Sequence, residues 1–213
     1  MASIYKYMSL NYLQDALDYG VYCSPITEVN DPYECEGIDN PEFYRIACMT
    51  NSSKKMLLWS YYINHRGCCV EFSIPKEFEK IIKKVKYDED FVMRNELSIE
   101  QVIETLTHKG AEWSHENEYR AVYYSPDVND DYIWIEKMNS GHIFLRLPVK
   151  AVCFGIYSHK EERYIESIKM ILEHNKIHRS NVLIQKVKKS PIRYELVEDK
   201  QFNIKAELKK YSK

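Results

Sequence analysis

Three charged residues stand two positions apart in the segment Trp113-Ser-His-Glu-Asn-Glu-Tyr-Arg120. They are Glu116, Glu118 and Arg120, and the apolar residues that follow them are typical of a buried β-strand. Side chains at this spacing on a strand lie on the same face. We therefore expect two carboxylates and one guanidinium to lie side by side and to mark a functional site. The alternative is a solvated strand face with a cross-strand ion pair.

Carboxylates also suggest a metal-dependent chemistry. Asp31, Glu34, Glu116 and Glu118 would offer the oxygen ligands that a divalent cation prefers, for phosphodiester cleavage. The sequence has no histidine-rich cluster or regular carboxylate motif, and Arg120 on the same face would oppose a cation. We therefore expect no metal and keep a metal-dependent phosphodiesterase as an alternative.

Further candidates are polar and aromatic residues earlier in the chain. Asn30 and Asp31 precede a proline in an irregular loop, whose alternative is a plain turn with side chains bonded to their own backbone. Trp59 and Tyr62 on a predicted helix would stack on a ligand or belong to the core. His65, in a turn, would act as a general base or phosphate donor, or be solvated.

Composition places the chain among globular proteins. Its 213 residues carry 30 Lys+Arg against 32 Asp+Glu, so no overall field points to nucleic acid or an anionic membrane. No apolar run approaches a membrane span, and we expect a cytoplasmic protein. The six cysteines form no Cys-x-x-Cys pair, which favours buried free thiols.

Hydrophobic periodicity predicts many short strands mixed with helices. Strands are predicted at 4–7, 21–24, 44–49, 68–74, 83–87, 132–135, 142–147, 151–156 and 181–187, besides the strand with Glu116 and Glu118. Helices are predicted at 9–20, 51–64, 98–107 and 160–174, with a short one starting at Pro75. Leu10, Leu13, Ala16 and Leu17 would share one face of the first helix, and Met56, Leu57 and Tyr61 of the second helix would face the core. Ser98 and Gln101 give a capping-box signal for the helix at 98–107. The order lacks a regular βαβ rhythm and predicts an α+β fold with a mixed, mainly antiparallel sheet flanked by helices. Residues 1–204 would form a single domain and 205–213 a lysine-rich tail.

Four ordered motifs carry a resemblance to a known family. They are Tyr5-Lys-Tyr7, Tyr22-Cys-Ser-Pro25 leading to Asn30-Asp-Pro-Tyr33, Trp59-Ser-Tyr-Tyr62 with Gly67, and Trp113 to Arg120. In this order they resemble the bacterial family called domain of unknown function 2971, over residues 4 to about 156. Val29 and Tyr33 stand where that family commonly has phenylalanine. The family name implies no activity.

The arrangement of early and late strands is also similar to the layout of ADP-ribosyltransferases. This resemblance implies NAD as cofactor, with Tyr5, Lys6 and Tyr7 lining a dinucleotide cleft that Ser24 supports. Glu118 or Glu116 would stabilise the positive charge that develops as the nicotinamide glycosidic bond breaks. The other carboxylate would orient a ribose hydroxyl or deprotonate an acceptor. Arg120 would bind pyrophosphate. Asn30, Asp31, Trp59, Tyr62 and His65 complete the predicted cofactor site.

These inferences predict a nucleotide-linked, ADP-ribosyltransferase-like enzyme that acts on a protein or nucleic acid, in a bacterial defence, toxin or phage-defence context. A non-catalytic module that binds a nucleotide or a protein is the alternative, besides the metal-dependent phosphodiesterase. Which glutamate is catalytic, which acceptor is used and which oligomer forms stay open at the level of sequence.

Overall fold

The computed structural model of the chain describes residues 2–90, 97–124, 135–138 and 140–211. The strands within these ranges are β1 Ala2–Met8, β2 Val21–Tyr22, β3 Ser24–Pro25, β4 Tyr44–Thr50, β5 Cys68–Ile74, β6 Ile82–Lys84, β7 Lys86–Asp88, β8 His108–Gly110, β9 Glu118–Tyr124, β10 Ile135–Lys137, β11 Ile143–Leu145, β12 Val149–Phe154, β13 Leu183–Lys189 and β14 Leu196–Glu198.

The α-helices are α1 Leu13–Asp18, α2 Met56–Ile63, α3 Ile99–Thr105, α4 Tyr164–His178 and α5 Ile204–Tyr211. Short 3₁₀ helices cover Leu10–Tyr12, Ile26–Glu28, Pro41–Phe43, Lys76–Phe78, Ala111–Glu116 and Ser158–Lys160. The predicted class, α+β with a mixed, mainly antiparallel sheet, is confirmed. Within the described ranges, no helix is long and apolar enough to span a lipid bilayer.

The chain divides into two compact units, of which unit 1 comprises Met1–Gly20, Ser52–Ser73 and Pro148–Lys213. Its strands follow the order β14-β13-β12-β5-β1, with β12 parallel to β13 and antiparallel to β5. A cluster around Trp59, Cys69, Cys153, Val187 and Leu196 forms part of the core. The predicted buried face of the first helical segment is confirmed, because Leu10, Leu13, Ala16 and Leu17 are all buried.

The predicted inner face of the second helix is wrong. Helix α2 starts at Met56 instead of Asn51, and it buries Leu58 and Trp59. Met56, Leu57 and Tyr61 are 38%, 46% and 69% exposed. The reason is that Trp59, the largest apolar side chain of this short helix, sets its orientation. The Trp59 indole packs edge-on against Tyr7, and its Nε1 donates to the carbonyl of Ser53.

Unit 2 comprises Val21–Asn51 and Ile74–Leu147. Strand β9 is its centre, antiparallel to β4 on one side and to β6 on the other, with β3 paired to β4. Strands β10, β11 and β2 form an antiparallel sheet, and β7 and β8 form a parallel pair. Ile26, Ile38, Tyr44, Ile46, Val102 and Leu106 form a core cluster.

Sequence signals for helix starts agree with the structure where a cap is present. The capping box of Ser98 and Gln101 opens α3 as predicted. The predicted strand at 21–24 is divided between β2 and β3, and residues 132–134 of another predicted strand lie outside the described ranges. The lysine-rich segment from residue 205 contributes most of α5, where Glu207 pairs with Lys186.

Candidate functional site

Strand β9 brings Glu118 and Arg120 together inside unit 2. Both side chains project from the same face of the strand, and Arg120 Nη2 lies 2.7 Å from Glu118 Oε2. The same nitrogen lies 2.5 Å from Glu34 Oε1, and Nη1 donates to the carbonyl of Leu106 at 2.8 Å. Arg120 is only 1% exposed. The guanidinium therefore ties β9 to the loop that carries Glu34 and to the end of α3.

Lys109 is the second cation of this network. Its Nζ lies 2.8 Å from Glu116 Oε2 and 3.5 Å from both Glu34 Oε1 and Glu118 Oε2. The ammonium also lies 4.4 Å from the ring centroid of Trp113. Two cations and three carboxylates are thus buried together, and each charge has an opposite charge beside it.

The predicted single strand face is wrong for Glu116. This residue ends the 3₁₀ helix Ala111–Glu116, and Asn117 has a left-handed backbone with φ of 44° before β9 begins at Glu118. Because of this break, the two-residue periodicity of β9 begins at Glu118 and does not extend back to Glu116. Lys109 nevertheless joins Glu116 to the same network. The alternative of a solvated face is also wrong, since Glu116, Glu118 and Arg120 are at most 5% exposed.

The network pushes the pKa values of two carboxyls in opposite directions. Burial raises the pKa of Glu34 above its usual value and outweighs the attraction of Arg120 and Lys109. Burial also favours the neutral form of Glu118, but Arg120 and Lys109 prevail and lower the pKa of Glu118. Carboxyls with pKa values pushed apart are suited to different acid and base roles.

The network also shifts the pKa values of Lys109 and Tyr87. Burial alone would lower the pKa of Lys109, but Glu118 and Glu34 raise it, so the ammonium stays charged. Burial raises the pKa of Tyr87 to about 12. The Tyr87 hydroxyl accepts a hydrogen bond of 2.7 Å from the Glu118 backbone N–H. The neutral phenol fixes the start of β9.

Glu34 is the member of the network with an unused oxygen. Its Oε1 pairs with Arg120, whereas Oε2 is buried and has no hydrogen-bond partner within the part of the chain that the structure describes. A buried carboxyl oxygen without a partner is costly. A group with a raised pKa and an unused oxygen can accept a proton from a bound molecule.

Glu34 and Lys109 line a pocket of about 590 Å³. Its other acidic lining residues are Asp31, Asp88, Glu89, Asp90 and Glu104. The buried ones are Asp31 and Glu34, whereas the remaining acids are exposed, so buried and exposed carboxylates surround the same space. Lys109 and His108 are the basic residues of the lining. The excess of carboxylates favours a positively charged ligand.

Of the other predicted site residues in unit 2, Asp31 lines the pocket, whereas Asn30 and Ser24 are not among its lining residues. The Oδ1 atom of Asp31 accepts from the Tyr33 N–H at 3.0 Å, which confirms the predicted turn. Asn30 is exposed beside it, and half-buried Ser24 lies in β3 opposite Ile46. Asp31 and Glu34 thus share one pocket, and Glu34 links it to Glu118 and Arg120.

Tyr5, Lys6, Tyr7, Trp59, Tyr62 and His65 all belong to unit 1. The Tyr7 hydroxyl donates to the Ser52 carbonyl and accepts from the Lys55 N–H, and Trp59 is fully buried. This packing confirms the core alternative for Trp59. Tyr62 is 45% exposed on α2. Burial, with a contribution from Lys189, lowers the pKa of His65, which favours the neutral imidazole.

Sequence reasoning missed Lys109 and Tyr87, and it considered Glu34 only as a metal ligand. No spacing in the sequence relates Lys109 in β8 to the carboxylates of β9, because the contacts arise from tertiary packing. One sign was present: a lysine and an arginine flank the two glutamates at a short distance along the chain.

Within the described residues, the acids proposed as metal ligands do not form a group that could hold an ion. Within the described ranges, three or more possible ligand residues come close enough to hold an ion only at Asp18, His174 and His178 in unit 1. Arg120 occupies the space between Glu34 and Glu118 with its own hydrogen bonds.

Comparison with known proteins gives no family model, curated protein or solved structure that matches the chain. The resemblances drawn from the sequence motifs therefore stay predictions.

Proposed function

We propose that the protein is a nucleotide-linked transferase whose acceptor is a positively charged amine or guanidine, with Glu34 as the general base. The observation that carries this proposal is the unused, buried Oε2 of Glu34 at an acid-lined pocket. The proposed class of acceptor is inferred from this pocket. NAD is proposed as the donor because of the resemblance to ADP-ribosyltransferases.

The charges of the pocket support the choice of acceptor. Carboxylates of Asp88, Glu89 and Asp90 attract a cationic group and raise its local concentration. Lys109 is already surrounded by Glu34, Glu116 and Glu118, so its charge is compensated within the network. An anionic acceptor would face several exposed carboxylates.

A cationic nucleophile must lose a proton before or as it reacts. In the proposed step the acceptor nitrogen forms a bond to the ribose C1′ of NAD. The bond from C1′ to the nicotinamide nitrogen breaks, and its electron pair leaves with neutral nicotinamide. The proton that the acceptor nitrogen loses passes to Glu34 Oε2. The raised pKa of Glu34 makes this carboxylate a stronger base than an ordinary glutamate.

Glu118, Glu116 and Arg120 have positioning roles in this proposal. Arg120 holds Glu34 by Oε1, and Glu118 holds Arg120. Glu116 holds Lys109. The predicted role of Glu118 or Glu116 beside the nicotinamide ribose stays a second assignment.

The test is an acceptor assay with NAD and a panel of small acceptors: agmatine, spermidine, and two peptides that differ only by arginine or citrulline. Released nicotinamide and the mass of the modified acceptor are measured. We expect transfer to cationic acceptors and none to the citrulline peptide. Glu34→Gln should slow transfer by about 100-fold or more, in the range for a lost general base. Glu79→Gln, at an exposed acid of unit 2 outside the pocket lining, is the matched control.

Three outcomes would overturn the proposal. Equal transfer by wild type and a folded Glu34→Gln variant would remove Glu34 as the base. Binding of agmatine without nicotinamide release would favour the non-catalytic module. Magnesium-dependent cleavage of a phosphodiester, with no transfer from NAD, would favour the phosphodiesterase. Circular dichroism of each variant checks that the fold is intact.

A further inference from the structure

Two histidines and one aspartate that have no role in the proposed transfer lie close together in unit 1. His174 and His178 are one turn apart on α4, and their ring centroids lie 4.5 Å from each other. Asp18 ends α1. One possible ligand atom from each of the three residues lies within 4.8 Å of the other two. This separation suits ligands that share one metal ion.

We propose that Asp18, His174 and His178 bind a first-row divalent cation, with Zn²⁺ as the best-suited ion. Imidazole nitrogens and a carboxylate oxygen form a common ligand set for zinc, and a water molecule would fill the open position. The ion would join the end of α1 to the last turns of α4.

The hydrogen bonds around His174 favour one tautomer of its ring. The backbone N–H of Val182 donates to Asn175 Oδ1, so this atom is the amide oxygen. The Ser180 hydroxyl also donates to Asn175 Oδ1, at 2.9 Å. Ser180 Oγ, 3.2 Å from His174 Nδ1, is therefore an acceptor for the N–H of that nitrogen. The lone pair of His174 then lies on Nε2, which would be the nitrogen that binds the ion, and Ser180 would orient the ring as an outer partner of the metal ligand.

Asp18 is oriented in a comparable way. The side-chain amide of Gln14, one turn earlier in α1, donates to Asp18 Oδ2 at 2.6 Å. This hydrogen bond restrains the carboxylate and polarises it as an outer partner would.

Helix polarity adds a second reason for a cation at this place. Asp18 and His178 are the last residues of α1 and α4. Unpaired backbone carbonyls give the C-terminal end of a helix partial negative charge, which favours a nearby cation. The ion would sit close to the carboxyl ends of both helices.

The test uses the full chain without a histidine tag and ZnCl₂ alone. Isothermal titration gives stoichiometry and affinity, and a thermal scan gives the shift in melting temperature. We expect one equivalent to bind and to raise the melting temperature, since the ion binds the folded state. Asp18→Asn and His178→Gln should each weaken binding by about tenfold or more, and Ser180→Ala by about tenfold, as for outer partners of metal ligands. His142→Gln, an exposed histidine of unit 2, should bind as wild type does.

Cobalt gives an independent readout. Bound Co²⁺ should show visible absorption bands of a nitrogen and oxygen ligand set in wild type, and Asp18→Asn should lose them. Absence of any zinc binding by the wild-type protein would overturn the proposal. So would one-equivalent binding that Asp18→Asn and His178→Gln leave unchanged, because the ion would then lie elsewhere.

Discussion

Arg120 and Glu118 lie two residues apart on β9 and form an ion pair of 2.7 Å in the interior of unit 2. Neither side chain is more than 7% exposed, and Arg120 also pairs with Glu34. An ion pair in this setting has lost its water, so each charge depends on its partner. The network therefore holds unit 2 together as well as shaping the pocket.

The first prediction concerns the removal of Arg120. Arg120→Met keeps an apolar stem but leaves Glu34 and Glu118 without their main counter-charge. We expect a loss of about 3–5 kcal/mol in the free energy of unfolding, as for a broken buried pair. Urea denaturation followed by circular dichroism measures it. Arg146→Met is the matched control, because Arg146 forms an exposed pair with Glu136 and should cost about 1 kcal/mol or less. Equal losses in both variants would contradict the role of burial.

The second prediction concerns pH. The lowered pKa of Glu118 contributes stability that is present above the usual value of 4.5 and is lost as pH falls through its folded pKa. The raised pKa of Glu34 has the opposite effect: its contribution is present below 4.5 and is lost as pH rises through the folded pKa. The stability difference between wild type and each glutamine variant should therefore change with pH in opposite directions.

Unfolding free energies of wild type, Glu118→Gln and Glu34→Gln between about pH 4 and about pH 8 check this. The advantage of wild type over Glu118→Gln should grow as pH rises from the acid end. The advantage of wild type over Glu34→Gln should shrink over the same interval. Each difference changes by at most about 1.4 kcal/mol per pH unit, because one proton is involved. Parallel trends for both variants would mean that the two carboxyls do not differ in environment.

Local sequence signals predicted parts of the fold well. The face of Leu10, Leu13, Ala16 and Leu17 and the capping box at Ser98 follow from periodicity and capping, which depend on near neighbours. The predicted inner face of α2 was wrong, because tertiary contacts of Trp59 decide which face of this short helix is buried.

The candidate site was predictable only in its local part. Glu118 and Arg120 meet because residues two apart on a strand share a face. Glu34 and Arg120 are 86 residues apart in the chain, and no local pattern relates them. The burial of Lys109 was equally hidden, since lysine is seldom buried without partners and its partners come from other elements. Tertiary packing thus brings Glu34, the proposed general base, next to Lys109.

The third prediction concerns Gly67, part of a motif that carries the family resemblance. A Cβ at this position would lie 2.2 Å from the Met8 carbonyl oxygen, which is backbone and moves only with its strand. We expect Gly67→Ala to lower the free energy of unfolding by about 3 kcal/mol, the upper range for an overpacked site. Gly110→Ala is the control, because its Cβ would meet nothing closer than 3.7 Å. A Gly67→Ala variant as stable as Gly110→Ala would show that the close approach is absent.

The last prediction separates two roles of Tyr7, which the resemblance to ADP-ribosyltransferases would place in a dinucleotide cleft. In unit 1 its hydroxyl donates to the Ser52 carbonyl at 2.9 Å and accepts from the Lys55 N–H at 3.1 Å. Tyr7→Phe removes a hydroxyl that both backbone groups use, and we expect a loss of about 1–3 kcal/mol in the free energy of unfolding.

Urea denaturation of Tyr7→Phe and a thermal-shift titration with NAD together decide between these roles. Tyr194→Phe, which changes a fully exposed tyrosine of the same unit, should stay within about 0.5 kcal/mol of wild type. Reduced stability with an unchanged NAD response would make the Tyr7 hydroxyl structural, because its two backbone partners explain the loss. Wild-type stability with a lost NAD response would instead place this hydroxyl at the nucleotide and contradict the structural role.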